Sequence, residues 1–124
     1  MVLCDTDVII EILKGNQPTL DKINSIGINN FSISSVTIME LYFGALHKRE
    51  LKTIKKSLNS LQLVHFSHEI SKISIDLMEN YSKSHGLRIP DAIIAASAIS
   101  LNHTLFTYNI KDFKYIRELE LYPA

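Results

Sequence analysis

The chain has 124 residues, a length for one domain over 1–124 with a hydrophobic core of its own. Apolar residues make up 46% and charged residues 21%, ordinary globular values that exclude a disordered chain. Thirteen Lys and Arg balance thirteen Asp and Glu, which excludes a uniformly basic nucleic-acid coat and leaves only a local patch for such binding.

Val2-Leu3-Cys4 is short and apolar, ends at Asp5, and reads as a buried strand. Val8 to Lys14 carries a helical apolar face and stops at Gly15; Pro18 starts a second helix that runs to Ile26 before Gly27. Phe31 to Ser34 alternates as a strand. Val36 to Leu46 reads as a helix with Val36, Met39, Phe43 and Leu46 on one face, and Leu51, Ile54, Leu58 and Leu61 give another. Leu63 to Phe66 is a strand, and a long amphipathic helix from Ser67 or His68 ends near Gly86. Pro90 opens a helix to Leu101 that is apolar nearly all round, hence buried. Thr104 to Thr107 is a strand, Ile110 to Phe113 a helical turn, and Leu119 to Tyr122 a last edge strand. This alternation predicts an α/β fold: a mostly parallel sheet of four or five strands with helices on both faces. Such sheets bind ligands beyond the carboxyl ends of their strands.

The lone Cys4 excludes an internal disulfide and suits a reducing compartment. The start of the chain lacks the basic segment of a secretory signal. The longest apolar stretch, Ala92 to Leu101, is broken by serines and too short to span a bilayer. The expectation is a soluble cytoplasmic domain with no membrane partner.

Four places carry chemistry: Asp5-Thr6-Asp7 after the first strand, Glu40 in an apolar run, Asp91 after Pro90, and the segment Thr107 to Phe113. Each has a bland alternative. Asp5 or Asp7 would cap the first helix, Thr37-x-x-Glu40 would form a capping box, Asp91 would answer a helix dipole, and Asn109 would start a turn. Together they point further. Asp5 and Asp91 both fall in the expected crevice, and Glu40 has apolar neighbours that make an unpaired carboxylate costly. Clustered carboxylates need a cation, and hard oxygen ligands select Mg²⁺ or Mn²⁺. His65-x-x-His68 straddles a strand end and reads as structural, and Cys4 reads as core.

These pieces, in this order, resemble the PIN-domain family, specifically the VapC-type toxin ribonucleases of toxin–antitoxin pairs. The matching segments are Leu3 to Val8, Ser34 to Leu41 with Gly44, Ile89 to Ala96, and Leu105 to Phe113. The resemblance implies a single PIN-like domain in which Asp5, Glu40 and Asp91 are the metal-binding catalytic acids and Thr6 the small hydroxyl residue after the first. It puts Asn109 at the place of a fourth acid, with Asp112 and Thr107 as nearby helpers. It implies an endoribonuclease that hydrolyses RNA with Mg²⁺ or Mn²⁺ and a metal-activated water, as a homodimer, held in check by a small antitoxin protein. Lys111, Lys114 and Arg117 would contact RNA phosphates, as would Lys48 and Arg49 at the head of a basic helix. A groove for the antitoxin is expected at the Leu51 to Leu61 helix or at Leu41-Tyr42-Phe43. A housekeeping RNA-processing nuclease and a non-catalytic binding module are the alternatives. A phospho-acceptor receiver domain is excluded, because Phe66-Ser67-His68, not an acceptor Asp, follows the middle strand.

Overall fold

The computed structural model describes residues 1–123. Four short strands, β1 (Val2–Cys4), β2 (Phe31–Ser34), β3 (Gln62–Val64) and β4 (Thr104–Phe106), form one sheet in the order β3-β2-β1-β4. Every pairing is parallel, with Cys4 opposite Ile33 on one side and Phe106 on the other. The chain therefore leaves β1 toward β2 and β3, then crosses back to β4 on the far side of β1. That reversal puts a crevice at the carboxyl ends of β1 and β4.

Alternation within the strands divides the core. Val2, Cys4, Phe31, Ile33 and Phe106 face one layer, which holds Val8 and Ile9 of α1 (Thr6–Leu13), Ile23 of α2 (Gln17–Ile26) and Ile54 of α4 (Lys48–Ser57). Leu3 and Leu105 face the other layer. It is made by Ile70 and Leu77 of α5 (His68–His85) and the alanine-rich face of α6 (Ile89–Leu101). α6 buries six residues, Ala92 and Ile94 through Ala98, because small side chains let it lie close to the sheet. α3 (Ser35–Gly44) joins the layers, with Val36 in one core and Leu41 in the other.

Three expectations change. The C-terminal strand is reduced to a single parallel bridge between Leu121 and Leu105, flanked by Leu105 N–H to Glu120 O at 2.9 Å and Tyr122 N–H to Leu105 O at 2.8 Å. The face of α3 that carries Met39 and Phe43 points outward, and its helix stops at Gly44, before Leu46; the three are 50%, 94% and 85% exposed. Almost every residue of α3 is apolar, so periodicity gave no way to choose the buried face. The capping box at Thr37 and Glu40 does not form, because Ser34 caps the helix three residues earlier through Val36 N–H.

Candidate active site

Asp5 follows the last residue of β1 and is bound into the sheet edge by Asp5 N–H to Phe106 O at 2.9 Å. It caps α1, accepting Thr6 N–H on Oδ1 at 2.8 Å. Its other oxygen, Oδ2, accepts the Thr107 hydroxyl at 2.8 Å. Thr107 in turn accepts Asn109 N–H at 3.0 Å. The cap reading of Asp5 is thus correct and incomplete, since Thr107 holds the same carboxylate from the neighbouring strand. Burial pushes the Asp5 carboxyl up to about 7, with help from the charge of Asp7 and less from Asp91, against the two hydrogen bonds.

Glu40 reaches the same edge from α3. It is exposed rather than set among apolar side chains, because the helix turns it toward solvent and Thr6. The Thr6 hydroxyl donates to Glu40 Oε1 at 2.8 Å. It lies 3.0 Å from the buried Thr37 hydroxyl; with its one proton on the carboxylate, Thr6 accepts from Thr37. Asp91 stands in the first turn of α6. Its carboxyl is raised by burial first, then by the charges of Asp112 and Glu40, with Arg88 opposing and Asp7 adding. Asp91 therefore links the acids: it feels Asp112, Glu40 and Asp7, and Asp5 feels it and Asp7.

Asp112 shares a cavity with Asp91 and Lys111, whereas Asn109 meets the site through its backbone N–H to Thr107 and has an exposed side chain. Lys114 and Arg117 are exposed on the segment that follows, and Lys48 and Arg49 are exposed at the start of α4. Cys4 is buried under Asp5, its thiol pushed up by burial and by Asp5 and Asp7, as befits a core residue.

Asp7 is the carboxylate that sequence reasoning left out of the site. It accepts Tyr108 N–H on Oδ2 at 3.0 Å, while its Oδ1 is buried with no hydrogen-bond partner. Asp-x-Asp at a strand end was the available signal. Arg88, three residues before Asp91, is a second charged neighbour of the site; a lone polar residue in the turn before a helix carries no periodic mark in the sequence. Among the described residues, no three His, Cys, Asp or Glu side chains already converge to hold a metal ion. The donors nevertheless fit a hard divalent cation: all are oxygens, and Asp7 Oδ1 is buried without a hydrogen-bond partner.

A parallel sheet with an acidic crevice at its switch point defines the class of protein, an α/β domain with carboxylates gathered for work on a ligand. The PIN domain family model matches residues 2–119. Ribonuclease VapC3 of Methanocaldococcus jannaschii is 36% identical over 93 residues, covering 74% of this chain and 92% of that protein. A toxin–antitoxin complex from Klebsiella pneumoniae superposes with a TM-score of 0.81 and 27% identity over the full length of both chains. VapBC2 from Rickettsia felis, bound to a DNA fragment from its promoter, gives 0.82 and 27% over 98% of each. The chain belongs to the PIN domain family, among its VapC-type ribonucleases. No helix among the described residues is long and apolar enough to cross a membrane.

Proposed function

We propose that the chain is a divalent-metal-dependent endoribonuclease, the toxin of a toxin–antitoxin pair. The observation that carries this reading is the buried Asp5 at the sheet switch point, raised by the charges of Asp7 and Asp91, with Asp91 in turn raised by those of Asp112 and Glu40. Asp5, Glu40 and Asp91 would hold Mg²⁺ or Mn²⁺, with Asp7 and Asp112 beside them. When bound, the ion lowers the pKa of water and offsets charge on the phosphoryl group under attack.

The chain's own residues do the rest. Thr107 and the Thr6 N–H fix the two oxygens of Asp5. The Thr37–Thr6–Glu40 relay aims Glu40. Asn109 locks Thr107 through its backbone, and its neutral amide makes it the weaker contributor at the fourth position. Lys111, Lys114 and Arg117 flank the acids and would draw RNA phosphates, with Lys48 and Arg49 as a second basic patch.

The partners follow from two apolar surfaces. A cavity of about 420 Å³ between α1, α3 and α4 is lined by Ile10, Leu13, Leu41 and Ile54 and opens on Thr6 and Glu40. A segment of the antitoxin seated there would cover the site. A cavity of about 490 Å³ between α5 and α6 has no charged residue in its lining, so two copies meet across a twofold axis without like-charge repulsion. An RNA substrate and a protein antitoxin would both be met in the cytoplasm, the location this reading implies.

The test is cleavage of an RNA oligonucleotide. Wild type is expected to cut in Mg²⁺ or Mn²⁺ and to stop in chelator. Asp5→Asn and Asp91→Ala are expected to lose about 100-fold or more, the scale of a single electrostatic group in a catalytic centre, while staying folded. Expression of wild type alone is expected to arrest growth, and Asp91→Ala to relieve it. Undiminished cleavage by folded Asp5→Asn, or in chelator, overturns the metal-dependent reading.

A further inference from the structure

Next to Asp91 lies a mostly polar cavity of about 250 Å³, walled by the α5–α6 turn from His85 to Arg88 and by Lys111, Asp112 and Tyr115. It is smaller than the roughly 300–1,000 Å³ that encloses a whole drug-sized ligand, so it takes part of a nucleotide. Its two cations are free. Among the described residues the single ion pair joins Lys14 to Glu11, and Arg88 and Lys111 are both exposed. Its aromatic wall is already built. The His85 ring lies flat on Tyr115, centroids 4.2 Å apart and planes 2° from parallel. Tyr81 meets both edge-on, at 5.9 Å from His85 and 5.3 Å from Tyr115. The Ser84 hydroxyl lies 2.8 Å from His85 Nδ1 and fixes the ring's rotation. Tyr115 covers one ring face, yet His85 remains an exposed residue.

A flat, held ring beside an unpaired guanidinium and an ammonium matches the chemistry of one nucleotide. Bases stack on aromatic and histidine rings without regard to sequence, and the guanidinium fork takes phosphate oxygens two at a time. We propose that this cavity is a nucleotide subsite of the nuclease: Arg88 and Lys111 hold the backbone phosphate next to the one cleaved, and the His85–Tyr115 stack carries its base. The inference rests on the ribonuclease reading, because Asp91 is shared by the subsite and the acidic centre. Asp91 and Asp112 would repel a phosphate here, so the subsite works only on the metal-loaded protein. It assigns positioning roles to Arg88 and His85 and leaves Lys114 and Arg117 outside this contact.

The experiment is steady-state cleavage by the metal-loaded protein. The substrates are RNA oligonucleotides with one abasic nucleotide walked along the chain. Wild type is expected to lose about 10-fold in kcat/KM when the abasic position falls at one place beside the scissile bond. His85→Ala is expected to raise KM and to erase that penalty, and His85→Phe to restore it, since it keeps the stack. Arg88→Gln and Lys111→Gln are expected to raise KM about 10-fold with kcat within about 2-fold, each lowering the salt slope of kcat/KM by about 0.7. All three side chains changed lie at the surface, so thermal melts of the four variants are expected to match wild type. An unchanged abasic penalty in His85→Ala, or a loss confined to kcat in Arg88→Gln, overturns the subsite. Failure of wild type to cut any RNA overturns the ribonuclease reading instead.

Discussion

Asp5 is held by two hydrogen bonds that favour its charge and by burial and Asp7 that oppose it, and opposition wins: the carboxyl is pushed from 3.8 up to about 7. A carboxyl raised in the folded state keeps its proton there after the unfolded chain has lost it. Folding is then favoured below pH 3.8 and loses ground as pH rises toward about 7. In chelator, the urea unfolding free energy is expected to fall across that window, by on the order of 4 kcal/mol as an upper bound at about 1.4 kcal/mol per pH unit. Asp5→Asn is expected to flatten the profile and to be the more stable protein at pH 8. Mn²⁺ at pH 8 is expected to raise the melting temperature of wild type and not of Asp5→Asn. A wild-type profile that is flat from pH 4 to 7 would show that Asp5 ionises normally. The place of Asp5 was legible because a strand end followed by a helix is a local pattern. The role of Asp7 was not. Its partner, Tyr108 N–H, lies 101 residues away and meets it only once β4 pairs with β1.

Helix ends were similarly readable where one residue decides them. Gly86 closes α5 in the left-handed region, at φ +69°, and Ser67 caps the other end through Ile70 N–H at 3.1 Å. Pro90 then sits in the first turn of α6, so the turn from 86 to 90 sets where Arg88 and Asp91 emerge. A methyl group at Gly86 meets nothing within 4 Å, which leaves the backbone angle as its only cost. Gly86→Ala is expected to lower stability by about 1 kcal/mol, and Gly86→Asn by less, since asparagine tolerates that region. Denaturant midpoints check this; an Ala variant as stable as wild type would mean the turn relaxes freely. The faces of helices were less readable than their ends. α4 has a clear apolar stripe that buries Ile54 and then Leu58, its C-cap. α3 has no such stripe, and which of its side chains is covered depends on its position between α1, α4 and α6.

At the scale of the molecule, the sheet separates two cavities, one between α1, α3 and α4 and one between α5 and α6, to which the proposed function gives different partners. The parallel α/β order was legible from alternating strands and helices, and so was a groove at Leu41 and the Leu51 to Leu61 helix, whose Ile54 lines the cavity; the surface between α5 and α6 was not. Phe43 and Leu46 share a helix face with the buried Val36 in the sequence reading, yet they are 94% and 85% exposed. Phe43 lies in the last turn of α3 next to Gly44, which lines the groove that opens on Glu40, so an antitoxin segment seated in that groove would reach it. On the other side, Phe66, Ile75 and Ile89 are 54%, 64% and 64% exposed around an uncharged cavity, the face the proposed self-association would use. The two sites make separable predictions. In the proposed dimer Ile75→Glu would put a charge from each copy into this uncharged cavity, and it is expected to convert a dimer to a monomer in sedimentation, with an unchanged circular dichroism spectrum. Phe43→Ser is expected to leave the dimer intact and to weaken inhibition of RNA cleavage by the antitoxin, by about 10-fold or more if Phe43 is a buried anchor of that interface. Dimers that persist in Ile75→Glu would move the self-association elsewhere. Full inhibition of Phe43→Ser would remove the exposed end of α3 from the antitoxin's footprint and leave the groove between α1 and α4 to hold it alone.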